Sequence, residues 1–306
     1  IKNMRERIIA HGGEIHFGER VDSLRPFAGK PIILAIGHSA HDTYRMLARE
    51  GVALENKGFA MGVRCEHPQR IINDLMYHLR GRSEQEKQRL IDQVGNASYS
   101  LVTQVDGRGV YSFCMCPGGH IVPAGSTEGS CVVNGMSASH RNSPYANSGI
   151  VVEIRPEDVT DGLAFQEELE RLAYEHAGPA AQAPAQRLRD FVEGRLSKDL
   201  PKSSYLPGMV SSRLDEWLPA HIGKRLQQGF RDFDRKYPGF LTNEAVILGV
   251  ESRSSSAVRI PRNPETLQSI STPNLYPCGE GAGYAGGITS SALDGINAAL
   301  AIIANR

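Results

Sequence analysis

Leu275-Tyr276-Pro277-Cys278-Gly279-Glu280-Gly281-Ala282-Gly283-Tyr284-Ala285-Gly286-Gly287-Ile288 carries five glycines in the nine positions from Gly279 to Gly287. The stretch 275–278 reads as a short strand. Ser290 to Ala304 reads as a helix whose apolar positions Ala292, Leu293, Ile296, Leu300 and Ile303 mark the face expected to turn inward. Strand, glycine turn and helix form the unit of a doubly wound α/β fold. Glycines leave backbone N–H groups uncovered. The first turn of the following helix adds unpaired donors and partial positive charge, which favour an anionic or electron-rich ligand. The alternative is a loop whose glycines only permit close packing.

The opening of the chain has the same style. Pro31 to Ile36 is a continuous apolar run, as in a strand buried on both faces, and Gly37 ends it. A helix is expected from Ala40 to Glu50, with Tyr44, Leu47 and Ala48 inward and Gly51 as its stop. Ahead of this unit, Met4, Ile8 and Ile9 share a helical face that Gly12-Gly13 terminates. Glu14 to Val21 alternates as a strand would.

The middle differs. A helix over Glu84 to Val94 precedes short β segments at Tyr99 to Val105, Val110 to Met115, His120 to Ala124, Cys131 to Met136 and Ile150 to Ile154. Gly107-Arg108-Gly109 and Gly125 to Gly129 fit hairpin connections. Antiparallel strands between α/β ends imply an inserted domain. Helices are expected at Leu163 to His176, where Glu167 can pair with Arg171, and from Pro219 to Lys236. Ala177 to Ala185 reads as a loop.

Composition narrows the function classes. The 306 residues hold 34 basic and 34 acidic side chains, so the chain lacks the basic excess of a nucleic-acid binder. No apolar run approaches a bilayer span, and no signal peptide is visible. Five irregularly spaced cysteines do not form a secreted disulfide framework. The expectation is a cytoplasmic protein acting on a small molecule, with no metal, nucleic acid or membrane partner.

Four further stretches carry candidate chemistry. Gly37-His38-Ser39-Ala40-His41 resembles a nucleophile elbow, but His41 stands where that turn needs glycine, so an ordinary strand-to-helix turn is favoured over a Ser39 hydrolase. In Cys114-Met115-Cys116, the two thiols on a regular strand would share a face roughly 7 Å apart. That spacing is too long for an unstrained disulfide, so both are read as small buried apolar residues. Asn134 to Ser137 offers a polar wall or turn chemistry. Glu251 to Arg259 offers an arginine clamp for an anion or a structural ion pair.

At Tyr276 to Ile288 the chain resembles the C-terminal flavin motif of two-dinucleotide-binding-domain flavoproteins. More closely, it resembles the predicted FAD-dependent dehydrogenases labelled NAD(FAD)-utilising. The same pattern appears in Leu34 to Ala40 with Asp42-Thr43, in Gly62-Val63-Arg64 with Glu66-His67-Pro68, and in Met115 to Gly119. It continues in Asn134 to Ser137 and Glu251 to Ser255. The resemblance implies an α/β fold with an α+β insert: an FAD/NAD(P)-binding doubly wound domain from residues 1–55 and 251–306, and an inserted substrate domain of strands and helices over 56–250. It implies FAD as cofactor and NAD(P)H as a candidate electron donor.

Residue by residue, the resemblance places Gly37, His38 and Ser39 near the adenosine half of the cofactor. Gly279 and Glu280 take the position of a Gly-acid pair at the ribityl chain, with Gly281 beside the pyrophosphate. Gly286, Gly287 and Ile288 fall near the isoalloxazine. Gly118, Asn134, Met136, Arg253 and Ser254 are expected on the wall facing flavin or substrate. The G-x-G-x-x-G fingerprint and the ribose-binding acid of such a domain are absent from the sequence, and the resemblance places them ahead of Ile1. Asp22 to Lys30 is also short where a relative carries a longer β excursion. The expected chemistry is hydride or electron transfer through flavin, with no catalytic acid or base assigned. The rival from another class is a non-catalytic assembly module, marked by an exposed apolar patch and no cavity beside Gly279 to Gly287.

Overall fold

A computed structural model describes residues 1–125 and 128–304. Ser126 and Thr127, within the expected connection from Gly125 to Gly129, lie outside the described residues. The chain runs α1 (Lys2–Ala10), β1 (Ile32–Leu34), α2 (His41–Arg49), β2 (Glu55–Asn56) and β3 (Phe59–Pro68). Next come α3 (Gln69–Met76), α4 (Glu84–Val94), β4 (Val102–Val105), β5 (Arg108–Cys116), β6 (Gly119–Pro123), β7 (Val133–Ser137) and β8 (Tyr145–Ile154). Then follow α5 (Gly162–Glu175), β9 (Ala183–Arg187), α6 (Leu188–Glu193), β10 (Met209–Ser211), α7 (Leu214–Trp217) and α8 (Ala220–Lys236). The last elements are β11 (Val246–Glu251), β12 (Val258–Arg259), β13 (Leu275–Pro277) and α9 (Ile288–Ala304).

Seven strands form one mixed sheet in the order β10-β9-β11-β3-β8-β5-β4. Only the β9–β10 pair is parallel. The backbone of the sheet is the ten-residue pairing of β3 with β8, from Phe59 opposite Ile154 to Pro68 opposite Tyr145. Paired residues share a face, which gives the sheet two unlike sides. One carries Met61, Val110 and Val152, fully buried against Ile222, Leu226 and Phe230 of α8. The four-residue spacing of those α8 side chains makes the stripe, and Gly229 leaves room for Val110. Each such side chain contributes about 1.5–3 kcal/mol of burial. The other side carries Tyr111, Phe113, Gly149, Ala60, Gly62, Arg64 and Glu66, which are small, aromatic or charged.

The two ends of the chain meet in a second, two-stranded sheet, with β1 parallel to β13 from Ile32 opposite Leu275 to Leu34 opposite Pro277. A hydroxyl joins them: Tyr44 Oη, on α2, donates to Gly281 O at 2.7 Å and lies 3.2 Å from Gly37 O. Helix α2, which follows β1, is thereby tied to the glycine loop.

Several sequence expectations are corrected. Glu14 to Val21 forms no strand: it lies in bends and irregular backbone with Phe17 and Val21 exposed, since alternation without a neighbouring edge cannot form a sheet. On α9, Leu293, Ile296, Leu300 and Ile303 are exposed, and Ala298 is the buried residue. The two-stranded sheet is too narrow to cover the apolar stripe, so α9 rests on Tyr276 and Cys278 through Ala298 and Ile302. Residues 183–185 belong to β9 rather than to a loop. Glu167 reaches His41 and Arg45, while Arg171 pairs with Glu168 and Glu175. Among the described residues no helix is long and apolar enough to cross a membrane.

His67, at the end of β3, is fully buried, and its Nε2–H donates to Phe240 O at 2.8 Å. Burial pushes its pKa down to about 4. The unfolded chain takes up this proton below about 6.5 and the native chain does not, so stability falls with pH through that window. The loss at pH 4.5 is on the order of 2–3 kcal/mol from this side chain. Urea unfolding at pH 7 and pH 4.5 should show His67→Gln with a correspondingly flatter pH dependence than the parent. Equal slopes would contradict this assignment.

Candidate functional site

The polar side of the large sheet and the glycine loop enclose a cleft of about 480 Å³. Its walls include Phe59 and Ala60 of β3, Tyr111 and Phe113 of β5, Ser254, Ser255 and Gly286. Ser254 extends the sheet past the end of β11: its Oγ donates to Ala60 O at 2.6 Å and accepts from Ala60 N–H at 3.3 Å. Gly286 has nothing within 4 Å of where a Cβ would lie, so its backbone faces open space. Among the described residues, no acceptor meets the N–H groups of Gly286, Gly287, Ile288, Thr289 and Ser290. The first helical bond of α9 runs from Ser291 N–H to Gly287 O. Donors and dipole are both directed to the mouth of this loop.

The start of the loop is rigidly held. Gly279 N–H donates to Asp294 Oδ2 at 2.7 Å, and Asp294 is held bidentately by Arg262. Arg262 also donates to Pro277 O at 2.7 Å and stacks over Tyr284 with 3.9 Å to the ring centre. Gly281 packs on Gly37, whose carbonyl oxygen would be 2.5 Å from an added Cβ. His38 Nδ1 lies 3.4 Å from Glu280 Oε1, with both side chains about a quarter exposed. Gly37, His38, Glu280 and Gly281 therefore form one cluster. Ser39 has no histidine in hydrogen-bonding contact among the described residues, so no nucleophile–base pair is assembled there.

The remaining expected wall residues are dispersed. Arg253 is in a buried ion pair with Glu170 of α5 at 2.8 Å, which also accepts from Ser252. Met136 is exposed on the β6–β7 hairpin. Gly118 turns at φ +53° against the backbone of Arg141, and its N–H donates to Gln69. Asn134 accepts from Arg64 Nη1 at 3.5 Å.

Arg64 was not singled out by residue type, yet its guanidinium is fully buried. It donates to Asn147 Oδ1 (2.9 Å), Glu251 Oε2 (3.2 Å) and Cys114 O (2.7 Å). Two glycines make its space: a Cβ at Gly135 would run into the guanidinium, and one at Gly149 would lie 3.1 Å from Glu251 Cγ. Burial raises the Glu251 carboxyl to about 7, against the pull of Arg64. The legible signal was the alternation Ala60, Gly62, Arg64, Glu66 along one strand. Tyr111 and Phe113 were legible only as strand residues, because the side they face depends on pairing with β8.

A further correction concerns the C-x-C. β5 gains one residue between Phe113, opposite Gly149, and Cys116, opposite Asn147. The bulge puts Cys114 at φ +47°, exposes it, and makes its carbonyl oxygen the acceptor of the buried Cys116 thiol at 3.4 Å. The regular-strand separation does not apply.

Residues 58–254 match the family described as FAD-dependent protein, C-terminal domain-like. The chain belongs to this family. It is also 41% identical to an uncharacterised protein of Clostridium beijerinckii, over 99% of this chain and 60% of that protein. The chain thus spans about 60% of the length of the curated relative it matches. The family match supports a flavin-related role, and the relative carries no more specific activity.

Gly281→Ala should destabilise the chain by about 1–3 kcal/mol, because the added methyl meets backbone that cannot rotate away. Gly286→Ala, with open space at that point, should change stability by less than about 0.5 kcal/mol. Thermal or urea unfolding of the two variants checks the contrast, and equal effects would contradict the described packing.

Proposed function

We propose that the full-length protein is an FAD-dependent oxidoreductase whose flavin ring occupies the cleft at Gly286 and whose substrate is a small molecule. Bound flavin supplies two-electron chemistry by hydride transfer. The observation that carries the reading is the meeting, in one cleft, of the open backbone at Gly286 with the aromatic and small side chains of Tyr111, Phe113 and Ala60. A planar heterocycle fits beside Ala60, Ser254 and Ser255, whose small side chains line the cleft between the aromatic rings and the glycine loop.

In this reading the N-terminus of α9 holds the electron-rich edge of the ring, and its unpaired N–H groups favour negative charge there. Glu280 orients a polyol hydroxyl, and His38 across from it fixes the carboxylate. Residues 1–55 and 251–306 would frame the cofactor, with 56–250 as the substrate domain. A nicotinamide donor belongs to the same proposal and rests on the family resemblance alone.

The exposed apolar residues of α9 fit an assembly module equally well. The cleft beside Gly286 favours the flavin reading over that rival, which needs none. Gly286→Val in the full-length protein should leave folding intact and strip most of the flavin during gel filtration, because its branched side chain fills the approach. Parent-like flavin content in this variant would contradict the placement.

A further inference from the structure

The bulged end of β5 holds a pair of thiols that the flavin reading does not use. Cys114 is exposed at a left-handed backbone position that non-glycine residues rarely adopt. Its conformation is fixed by Arg64 Nη2, which donates to the Cys114 carbonyl at 2.7 Å. The same nitrogen lies 3.4 Å from Cys116 Sγ, which is 6% exposed. The cluster therefore presents one cysteine to solvent, a second, buried thiol that donates to the first residue's carbonyl oxygen at 3.4 Å, and a permanent buried cation in contact with the inner thiol. The other three cysteines, Cys65, Cys131 and Cys278, are buried singly.

We propose that Cys114 and Cys116 form a redox-active dithiol that reduces small disulfides, with Cys114 as the attacking thiol and Cys116 as the resolving one. The Cys114 thiolate attacks one sulfur of the disulfide, the S–S bond breaks, and one substrate thiolate leaves and takes up a proton. Cys116 then loses its proton and attacks the Cys114 sulfur, releasing the second substrate thiol and closing an internal disulfide. The pair is oxidised by two electrons, and the substrate disulfide is reduced by two. This step is independent of flavin.

The acidity of the two thiols agrees with these roles. The S–H of Cys116 and the charge of Arg64 lower Cys114 to about 6, while Cys116 is raised. The charged or titratable groups at the pair are Arg64 on β3, Glu251 on β11, the buried Tyr99 ahead of β4 and Cys116 itself; β7 and β8 contribute the uncharged Ser137, Asn134 and Asn147. A lowered pKa raises the thiolate fraction at neutral pH, and the lower intrinsic nucleophilicity that accompanies it offsets part of that gain. Alkylation of Cys114 should then exceed that of an unperturbed thiol several-fold at pH 7, and by a larger factor at pH 5.5.

The test treats the full-length protein with glutathione disulfide and follows intact mass and peptide maps, with iodoacetamide rates measured across pH. Parent protein should lose two hydrogens at a Cys114–Cys116 disulfide. Cys116→Ser should stop at a stable glutathione adduct on Cys114, and Cys114→Ser should give neither product while keeping the parent circular dichroism. Two results would overturn the proposal: parent protein that halts at the adduct, or a Cys114 alkylation rate with the pH midpoint of an ordinary thiol. Flavin content, measured on the same samples, reports separately on the cofactor reading.

Discussion

A guanidinium with no exposure to solvent sits at the middle of the seven-stranded sheet, and the surrounding sequence is arranged around it. Removing Arg64 from water is costly, so every donor must find an acceptor. Glu251, Asn147, Asn134 and the Cys114 carbonyl supply them from four different strands or their edges. Losing either member of the Arg64–Glu251 pair would strand a buried charge, a loss of about 3–5 kcal/mol. The ion pair thus fixes which strands lie side by side and places a charged pair among small and aromatic residues on one side of the sheet.

That constraint explains glycines that composition alone left unassigned. Gly135 and Gly149 make room for the guanidinium and its carboxylate partner, while the long glycine loop at 279–287 does different work. There Gly281 lies against Gly37 under the Tyr44 hydroxyl, and Gly286 opens onto the cleft. The polar side of the sheet and the open loop are two walls of one space, built from the middle and the end of the chain. The bulge in β5 follows from the same centre, since Arg64 captures the Cys114 carbonyl and turns the strand out of register.

The local units were legible because their signals are local. Ser83 caps α4 with the reciprocal Glu86 contact, and the α8 stripe repeats every four residues. The strand–glycine–helix units at both ends were readable from runs such as 31–36 and 275–287. The central strand β3 was not, because its two sides differ: Met61, Val63 and Cys65 face the core while Gly62, Arg64 and Glu66 face a polar interior. A buried arginine looks like a surface residue in sequence. The reading of residues 14–21 failed for the converse reason, as alternation carries no information about whether a neighbouring strand exists. The glycine loop was legible as a site, but its partners Tyr111, Phe113 and Ala60 depend on a register fixed only by tertiary pairing.

The cleft between this sheet face and the glycine loop is the proposed seat of the flavin. The most direct measurement is the visible absorption spectrum of the wild-type full-length protein, recorded as purified and again after incubation with FAD and removal of the excess. The account predicts the bands of oxidised flavin, shifted from those of free FAD and bleached by dithionite. A spectrum without flavin bands in both samples would contradict it.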